Sequence, residues 1–496
     1  MASRSREKEL EKANAALVAT VEKLSATIDQ LTESFERTRL ELLEQNRELS
    51  EKLDAALRRL HGKKSERRAK IPPAVIAPAP SSAEIAEKRA SNQAKLAMQA
   101  EDLGEFEHEV SEAEKTCERC GEDADFRPVG AGRASDLFDY VPGYFRRSRH
   151  IIHTVACRCG ETILSAEGPE RATSRSKYGP GLAALCITHK CLLGTPIHRL
   201  EKMLRGHGTP VSRSTLNELL IRVAKKLEPI HQELLRSVRE AEVVHADETP
   251  IRLLSHDKQA WIWVFIGGES VAFVFNQSRS GDIPERVLGA SKGTLLTDGY
   301  SGYNRVTTAD RRSAARCHSH IRRKFHEALP TAAEGRKALD LYSQIYAIEA
   351  QVKADGLAGS EEHLRRRQEE LRPLFHRLEE WMLETRKTAP PKSPLGRAIA
   401  YALGQWTGAT RCLDDPRVPL DNNISERAIR VVAIGRKNFN GAGSIEGGEM
   451  LATLYSLAAS CEAAGVDPFA YFRDVITRVE RKDPRQLTPA AWVPSS

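Results

Sequence analysis

Three acidic residues occupy settings in which carboxylates can bind metal ions. Asp247 in VVHADETP and Asp298 in LLTDGYSGYN occupy or end apolar, strand-like runs. Glu426 in DNNISERAIR lies on a helix-like segment beside Arg427 and Arg430. Carboxylates that converge from strands and a helix would hold two hard divalent cations, which clamp the attacking and the leaving oxygen in a displacement at phosphorus. The three residues therefore indicate the chemistry of cutting and joining DNA.

The setting of Asp247 allows two interpretations. Residues alternate along VVHADETP as in a β-strand, so His245 and Asp247 share one face while Glu248 points to the other. Alternatively, Asp247 is the last residue of that strand and caps a turn before Pro250.

Asp298 and Glu426 also have structural interpretations. Asp298 precedes a glycine, and Asp-Gly is a common turn. Asn423 and Glu426 fit a capping box, and Glu426 with Arg430 forms an i,i+4 pair. Each acidic residue taken singly favours its structural interpretation. Their joint setting, with hairpin strands first, a strand-end Asp second and a helical Glu last, favours a metal site.

The apolar pattern predicts the elements that must position these residues. Segment 179–235 predicts helices, and the chain turns to strands from Glu242. WIWVFI and VAFVF, separated by GGES, predict a hairpin, and TLLTD predicts a further short strand. The pattern over 321–408 is helical again, and Pro373 breaks or starts one of those helices.

Two close cysteine pairs precede this region. Cys117 and Cys120 form a C-x-x-C pair, and Cys157 and Cys159 form a C-x-C pair. Such pairs are typical of a structural, tetrahedral zinc site with four thiolate ligands. The alternative is four unrelated buried thiols, since the chain has nine cysteines. The basic segment YFRRSRHIIH between the pairs suits either a nucleic-acid surface or a solvated strand edge.

A helix, a glycine-containing break and a second helix are predicted in TPIHRLEKMLRGHGTPVSRSTLNELLIRVAKKL. Ser212 or Ser214 fits the N-cap of the second helix. This layout matches a helix-turn-helix that places its second helix in the major groove, although any helical hairpin looks similar. The side chains that would reach bases or phosphates are Arg213, Ser214, Thr215, Asn217 and Arg222.

A basic run follows the second acidic residue. Cys317 and His320 lead into Arg322, Arg323 and Lys324, whose charges suit a phosphate track. The Cys-x-x-His spacing would supply half of another metal site, but no matching pair follows nearby. Local packing and hydrogen bonding are therefore the favoured roles of this cysteine and histidine.

The run GRKNFNGAGSIEGG (435–448) is predicted to be a flexible basic loop. It lacks a preceding strand and a Lys-Ser/Thr ending, which excludes a nucleotide-binding loop. Its Arg436 and Lys437, with Arg427 and Arg430 upstream, are further candidate DNA contacts.

The N-terminal segment predicts a coiled coil. Leucines recur every seven residues over 10–31, interleaved with a second apolar series over 21–49, and the register shifts near Leu53. A solitary amphipathic helix is the alternative, but flanking charge favours self-association into a homo-oligomer. A basic segment (61–70) and a Pro/Ala-rich linker follow, and then a short helix over 84–98.

Bulk composition limits the classes of function. A chain of 496 residues predicts about three or four structural units. The net charge of +7 permits nucleic-acid binding but does not by itself indicate it. No apolar run approaches the roughly 20 residues of a membrane span, and the N-terminus lacks the apolar core of a secretory signal. We therefore expect a cytoplasmic protein with reduced or metal-bound cysteines.

The predicted fold class is multidomain α+β. The predicted parts are a coiled coil (1–68), a linker and short helix (69–104), a zinc-binding module (105–172), a helical helix-turn-helix region (173–238), a catalytic core (239–448) with a helical insertion at about 326–410, and a C-terminal helical region (449–496).

Several segments together resemble the transposases of the insertion-sequence-sixty-six family. The motifs that carry the resemblance are HADETP, TDGYSGYN, CHSHIRRKF, PKSPLGRAIAYAL, DNNISERAIRVVAIGRKN and GVDPFAYFRDVI. The resemblance continues upstream through the leucine-rich coil, LHGKKSER, the cysteine module and SRSTLNELL, so it covers nearly the whole chain. The set of motifs is highly specific, although each motif alone is not.

The resemblance implies an RNase H-like catalytic core of the DDE type, interrupted by a helical insertion between the second and third acidic residues. It implies Asp247, Asp298 and Glu426 as the ligands of two Mg²⁺ ions, with Mn²⁺ as an alternative. It further implies a bacterial, nucleoid-associated enzyme that binds the terminal inverted repeats of its element and moves the element into target DNA, together with accessory proteins of that element.

The chain departs from the family pattern at two points. Its second cysteine pair has one intervening residue where the family more often has two, which concerns zinc affinity more than catalysis. His61 and His318 stand where the family usually carries aromatic residues. Two other functions stay open from the sequence: a non-catalytic zinc and helix-turn-helix DNA-binding regulator, and a nuclease that cleaves without joining.

Overall fold

The computed structural model describes residues 103–119, 121, 125–141, 144–209 and 211–495, together with residues 23, 30 and 34. The chain divides into two units, Met1–Arg89 and Ala90–Ser496, and nearly all described residues belong to the second. The predicted coiled coil (1–68), apart from three isolated positions, lies outside the described residues. So do Cys120 and, except for its last two residues, the predicted linker and short helix (69–104).

Two small sheets form the region of the predicted zinc module. Their strands are β1 (Leu103–His108), β2 (Phe126–Pro128), β3 (Arg133–Val141), β4 (Tyr144–Ile152), β5 (Thr154–Cys157) and β6 (Ile163–Ser165). One sheet has the order β1-β4-β3 and the other β2-β5-β6. Cys157 ends β5, so the second cysteine pair lies on the turn that leads to β6.

Three helices follow, as the apolar pattern predicted. They are α1 (Pro180–Cys191), α2 (Ile197–Gly206) and α3 (Arg213–Glu240). The hydroxyl of Ser212 caps α3 by accepting a hydrogen bond from the backbone N–H of Thr215, which confirms one of the two predicted N-caps. Gly208 lies in the break between α2 and α3 with φ of +77°, a conformation that glycine adopts without strain.

A five-stranded mixed sheet forms the centre of this unit. Its strands are β7 (Val243–Leu253), β8 (Lys258–Gly267), β9 (Ser270–Asn276), β10 (Thr294–Thr297) and β11 (Ser313–Arg316), and α4 (Asp282–Leu288) connects β9 to β10. The spatial order is β11-β10-β7-β8-β9. β7, β8 and β9 form an antiparallel meander, whereas β10 and β11 run parallel to β7. The predicted hairpin and the predicted short strand are both confirmed.

The interpretation that β7 ends at Asp247 is wrong, because the strand continues through Pro250 to Leu253. β10 pairs with β7 only over 243–245, and beyond that point this edge of β7 is free of strand pairing until the isolated bridge between Leu253 and Ala442. The backbone oxygen of Pro250 accepts a hydrogen bond from Arg436 on the open side. Since N and C=O of a strand residue point to the same side, the missing N–H of proline faces this open edge and costs no ladder bond.

A helical insertion separates β11 from the segment that carries Glu426. Its helices are α5 (His318–Ala328), α6 (Arg336–Ala354), α7 (Glu361–Arg366), α8 (Arg372–Thr388) and α9 (Pro394–Ala409), with a π-helical turn (Arg367–Leu371) before α8. Pro373 lies in the first turn of α8, directly after the π-helical turn, and Leu371 before it is already helical with φ of −82° and ψ of −43°. Pro373 therefore begins α8 within a longer helical run over 361–388. The insertion has its own core, which includes Phe325, Leu378 and Ile399.

Three further helices complete the chain: α10 (Asn423–Phe439), α11 (Ile445–Ala463) and α12 (Pro468–Arg478). The predicted flexible loop over 435–448 is wrong, because most of its residues belong to α10 and α11. Gly435 lies inside α10, at a position where a larger residue would not fit. A Cβ atom there would lie 2.6 Å from the Phe439 ring and 2.8 Å from the Tyr455 hydroxyl.

Helix α11 covers the edge of the sheet at β9. The hydroxyl oxygens of Ser460 and Ser456 accept hydrogen bonds from the backbone N–H groups of Val271 and Phe273, at 2.9 and 2.7 Å. An open strand edge invites pairing with another chain, and these side chains occupy it. α11 also runs across residue 448, where the sequence predicted the end of the catalytic core. No helix within the described residues has both the length and the apolar composition of a membrane span.

Candidate active site

Asp247 lies on β7, the middle strand of the sheet, and its side chain is half-buried. Burial raises the pKa of Asp247 to about 7, although a hydrogen bond of 2.8 Å from the backbone N–H of Glu248 to its Oδ1 opposes the shift. The carboxylates of Glu248, Asp298 and Glu426 add to the increase. The raised pKa therefore reports chiefly the burial of this carboxylate, with a smaller contribution from the neighbouring carboxylates, and a bound cation would oppose both effects.

Asp298 directly follows β10, as the strand-end prediction expected. Because β10 is the parallel neighbour of β7, its carboxyl end brings Asp298 beside Asp247. The Oδ1 atom of Asp298 accepts a hydrogen bond of 2.9 Å from the backbone N–H of Tyr300. Gly299 has φ of +96°, so Asp298 forms a tight turn in addition to facing the other acidic residues.

Glu426 lies in the first turn of α10 and confirms the prediction of a helical glutamate. The capping-box interpretation is wrong, because Asn422 rather than Asn423 is the N-cap residue and makes no side-chain cap. The side chain of Asn422 instead donates to the backbone oxygen of Ala246 on β7 at 2.9 Å. Helix α10 is therefore anchored to the strand that carries Asp247.

The ion-pair partners of Glu426 are His320 and Arg323, both at 3.8 Å, and not Arg430 as the i,i+4 interpretation expected. A separation of 3.8 Å exceeds the length of a hydrogen bond. Oε1 of Glu426 is shielded from solvent and accepts no hydrogen bond from any described residue. This buried oxygen retains its full capacity to bind a ligand.

The three acidic side chains converge without touching. Asp298 and Glu426 each raise the pKa of Asp247. Within the described residues, however, only a cysteine trio brings three metal-ligating atoms within 4.8 Å of one another. Ligand atoms that share one Mg²⁺ ion at about 2.1 Å lie within about 4.2 Å of one another, whereas ligands of two ions about 4 Å apart can lie further from each other. The donor set, the raised pKa and the unpartnered Glu426 oxygen together fit a pair of hard cations.

Glu248 points away from Asp247, as strand alternation predicted, and it is buried. It accepts hydrogen bonds from the hydroxyl of Tyr303 at 2.6 Å and from Nε of Arg279 at 2.9 Å. The Arg279 guanidinium in turn lies 3.9 Å from the ring centre of Tyr300. Tyr300 and Tyr303 follow Asp298, at the start of and within the 3-10 helix Ser301–Val306, so Glu248 helps to fix this segment against β7.

Basic residues lie on α5 and α10, the two helices that supply Glu426 and its ion-pair partner Arg323. On α5, Arg322, Arg323 and Lys324 are exposed, and Lys324 pairs with Glu327. On α10, the exposed basic residues are Arg427, Arg430 and Lys437. Arg436 differs from them, because its guanidinium donates to Thr249 and Pro250 of β7 at 2.9 and 2.7 Å.

The candidate helix-turn-helix residues cluster at the start of α3. Arg213 forms an ion pair of 2.7 Å with Glu201 on α2, which ties the two helices together. The hydroxyls of Ser214 and Thr215 both contact the Ser212 hydroxyl, at 2.9 and 2.8 Å. Asn217 is half-buried. Arg222 pairs with Glu218 one turn away and remains exposed.

The cysteine cluster combines three of the four predicted zinc ligands. Sγ of Cys159 lies 3.5 Å from Sγ of Cys117 and 3.3 Å from Sγ of Cys157. Four thiolates at 2.3 Å from a tetrahedral zinc ion would lie about 3.8 Å apart, close to these separations. The fourth predicted ligand, Cys120, lies outside the described residues. The cluster supports structural zinc.

The Cys317 and His320 pair has the local role that the sequence favoured. Sγ of Cys317, which is buried, accepts a hydrogen bond of 3.2 Å from the backbone N–H of Asn422. His320 lies near Glu426 and is in no group of metal-ligating atoms within the described residues.

The sequence did not identify Asn422 or Tyr401 as residues of this site. The hydroxyl of Tyr401 on α9 donates to the backbone oxygen of Asp298 at 2.6 Å. The clearest signal for Asn422 in the sequence was its position beside Asn423, directly before the helix that carries Glu426. The sequence pattern alone did not indicate a role for it.

Two family profiles match the chain. The profile described as the transposase IS66 family matches residues 175–450, and that of the zinc-finger binding domain of transposase IS66 matches residues 114–160. Three curated relatives come from Sinorhizobium fredii (strain NBRC 101917 / NGR234). Uncharacterized protein y4jD is 30% identical over 70% of this chain and 71% of its own length. Uncharacterized protein y4hP is 30% identical over 76% of this chain and 72% of its own length. Uncharacterized protein y4qI is 31% identical over 71% of this chain and 68% of its own length.

Proposed function

Because this chain belongs to the IS66 transposase family and carries its zinc-binding domain, we propose that it binds the terminal inverted repeats of its insertion sequence and catalyses strand cleavage and strand transfer. The observation that carries the proposal is the placement of the three acidic residues: Asp247 lies on β7, Asp298 follows the parallel neighbouring strand β10, and Glu426 lies on a helix that is hydrogen-bonded to β7. Residues from two neighbouring strands and a distant helix thus share one electrostatic site.

Asp247, Asp298 and Glu426 are the proposed ligands of the metal ions. Mg²⁺, or Mn²⁺ in its place, would supply positive charge for the attacking and the leaving oxygen of phosphoryl transfer. The protein contributes a partly buried, anionic site in which the carboxylates repel one another until a cation is bound. His320 and Arg323 keep Glu426 within ion-pair range while leaving its Oε1 without a hydrogen bond.

The catalytic core is proposed to be RNase H-like. Support comes from the strand order β11-β10-β7-β8-β9, in which an antiparallel meander is followed by two strands parallel to the first. The first acidic residue lies on the first strand of this sheet and the second follows the fourth strand. The third arrives on a helix after the insertion.

DNA is proposed to lie along the exposed basic residues of α5 and α10. Arg322, Lys324, Arg427 and Arg430 are exposed there, and both helices contribute side chains beside Glu426. The α2–α3 pair is the proposed helix-turn-helix, with the first turn of α3 facing the groove. Phosphate contacts of this kind fix the register of DNA and make binding salt-dependent.

Two other functions would be distinguished from this proposal by whether the protein cleaves DNA and whether it joins the cleaved ends. A non-catalytic DNA-binding regulator would bind the element's ends and leave them intact in Mg²⁺. A nuclease would cut the ends but would not join them to a target plasmid. The placement of three carboxylates together, with a buried Glu426 oxygen that accepts no hydrogen bond among the described residues, favours an enzyme over the regulator.

The experiment uses the full chain, DNA that carries the element's ends, and a target plasmid. Asp247→Asn and Glu426→Gln should each reduce cleavage by more than about a hundredfold while end binding stays near that of the unmodified protein. Glu449→Gln, at an exposed position on α11, is the matched control. Full cleavage by either active-site variant would remove that carboxylate from the site.

The N-terminal segment is proposed to hold copies of the chain together as a homo-oligomer. Deletion of residues 1–60 should lower the mass measured by light scattering. An unchanged mass would contradict the proposed coiled coil, and it would leave the cleavage experiment unaffected. Accessory proteins of the element are further proposed partners.

A further inference from the structure

We propose that Asn422 is a positioning residue that sets the place of Glu426 relative to Asp247. This inference rests on the proposed function, because it concerns the carboxylates of the same site. Asn422 is buried, with 1% of its surface exposed, and it directly precedes helix α10.

The side chain of Asn422 binds two consecutive residues of β7. Its Nδ2 donates to the backbone oxygen of Ala246 at 2.9 Å, and its Oδ1 lies 3.0 Å from Nδ1 of His245. Asp247 is the next residue of the strand. The side-chain amide of Asn422 is thus hydrogen-bonded to the two residues that directly precede Asp247.

The direction of each hydrogen bond follows from the partners. The Ala246 carbonyl can only accept, so the amide nitrogen of Asn422 must face it and Oδ1 must face His245. Nδ1 of His245 is therefore the donor to Oδ1. The hydroxyl of Ser425 donates to the same oxygen at 3.0 Å. The amide cannot be turned over without losing these bonds.

The backbone of Asn422 completes the connection to Glu426. Its carbonyl oxygen accepts hydrogen bonds from the N–H groups of Ser425 and Glu426, at 3.0 and 3.3 Å. Its own N–H donates to Sγ of Cys317 at 3.2 Å. One residue thereby joins β7, the start of α5 and the first turn of α10.

Glu426 depends on this connection more than the other two acidic residues do. Asp247 lies on β7 and Asp298 directly follows its paired neighbour β10, so the sheet itself sets their separation. Glu426 comes after the helical insertion, and its side chain has only ion pairs of 3.8 Å among the described residues. Its position therefore follows from how α10 docks on β7.

Localised cleavage of the protein tests the inference. Fe²⁺ replaces Mg²⁺ in the full chain, and ascorbate with peroxide then cuts the backbone near bound iron. The unmodified protein should give fragments that end near residues 247, 298 and 426. In Asn422→Ala the cut near 426 should fall by about tenfold or more, since partners that orient metal ligands typically contribute 10–100-fold. The cuts near 247 and 298 should remain.

Two further variants separate positioning from general stability. Asn422→Asp keeps an oxygen toward His245 but places another against the Ala246 carbonyl, so it should lose the same cut. Asn438→Ala is the matched control, because Asn438 lies at the far end of α10 and donates to the Gly194 carbonyl at 3.0 Å. It should give all three cuts. In the two Asn422 variants, the rate of DNA cleavage at saturating Mg²⁺ should decrease together with the yield of the protein fragment that ends near residue 426.

The outcomes are distinguishable. All three cuts at full strength in both Asn422 variants would overturn the positioning role while leaving the proposed function intact. An unmodified protein that gives none of the cuts, and does not cleave DNA, would overturn the proposed function instead. If both variants lose every cut together with their circular dichroism signal, Asn422 serves folding in general, and the selective role is wrong.

Discussion

Tyr401 donates a hydrogen bond of 2.6 Å from its hydroxyl to the backbone oxygen of Asp298. The helical insertion therefore contacts the turn that carries the second acidic residue. Gln405, one turn further along α9, accepts a hydrogen bond of 2.7 Å from Arg316 on β11. Arg316 also donates to the Thr297 hydroxyl at 2.9 Å, just before Asp298. The helical insertion thus supports the turn that carries Asp298.

Replacing Gly299 with alanine should disturb this contact. Gly299 has φ of +96°, and a Cβ atom there would lie 2.8 Å from the Gln405 side chain, which Arg316 holds in place. We expect Gly299→Ala to lower the free energy of unfolding by about 1–3 kcal/mol and to slow DNA cleavage. Urea denaturation and a cleavage time course measure the two effects.

Gly404 provides the control for that substitution. It precedes Gln405 on α9, and a Cβ atom there would meet nothing within 4 Å. Gly404→Ala should therefore stabilise the helix by about 0.5–1 kcal/mol. Equal behaviour of the two alanine variants would show that the Asp298 turn tolerates a side chain.

The raised pKa of Asp247 predicts a pH-dependent stability in the absence of metal. The folded protein keeps the Asp247 proton up to about pH 7, whereas the unfolded chain releases it near pH 4. The stabilising contribution is therefore complete below about pH 4 and is lost as the pH rises through about 7. In EDTA, Asp247→Asn should be more stable than the unmodified protein at pH 8, by on the order of 2 kcal/mol, with a smaller difference at pH 5.

Urea denaturation at the two pH values measures this difference, with Asp340→Asn on α6 as an exposed control. Mg²⁺ should reduce the advantage of Asp247→Asn at pH 8, because bound cations favour the ionised carboxylate. A difference between variant and unmodified protein that is the same at both pH values would contradict the coupling.

Much of the framework was predictable from local sequence. The hairpin of β8 and β9 follows from two apolar runs around a glycine turn, and Ser212 is an ordinary N-cap. Asp247, Asp298 and Glu426 were predicted as a site from their joint setting, since each residue taken singly favoured a structural interpretation. Such signals depend on neighbours in sequence, so they report strands, caps and turns well.

Contacts between distant segments could not be predicted in this way. The bond between His245 and Asn422 joins residues 177 positions apart, and nothing in either neighbourhood specifies the other. The glycine-containing run 435–448 was predicted to be a loop, and glycine is indeed unfavourable inside helices. Gly435 nevertheless lies inside α10, where the Phe439 ring and the Tyr455 hydroxyl of another helix leave no room for a Cβ atom, and only the packed structure reveals this contact.

The zinc cluster predicts a difference between two kinds of cysteine. Cys157→Ser should lower the zinc content of the purified protein, because its sulfur lies 3.3 Å from Cys159 within the cluster. Cys412→Ser is the control, since that thiol donates to the Ala409 carbonyl and a hydroxyl can do the same. Elemental analysis measures the metal. Full zinc in Cys157→Ser, or none in the unmodified protein, would contradict four-thiolate coordination.

His318 predicts an acid sensitivity of the helical insertion. Its Nε2 donates to the Ala409 carbonyl at 2.8 Å, and its Nδ1 accepts from the Tyr342 hydroxyl at 3.2 Å. Burial lowers the pKa of His318 to about 4, whereas in the unfolded chain it is near 6.5. The unfolded chain thus binds the extra proton first, so stability is complete above about pH 6.5 and decreases as the pH falls toward 4.

His318→Phe places at this position an aromatic residue of the kind that the family resemblance led us to expect. The variant should be less stable than the unmodified protein at pH 7.5 by about 1–2 kcal/mol, because it lacks both hydrogen bonds. The variant has no imidazole to protonate, so its stability does not fall with pH through this group. The difference in free energy of unfolding between the two proteins should therefore shrink or change sign by pH 4.5, and its total change with pH should be on the order of 3 kcal/mol. Thermal unfolding across this pH range is the measurement. Parallel stability curves for the two proteins would mean that another group causes the acid response.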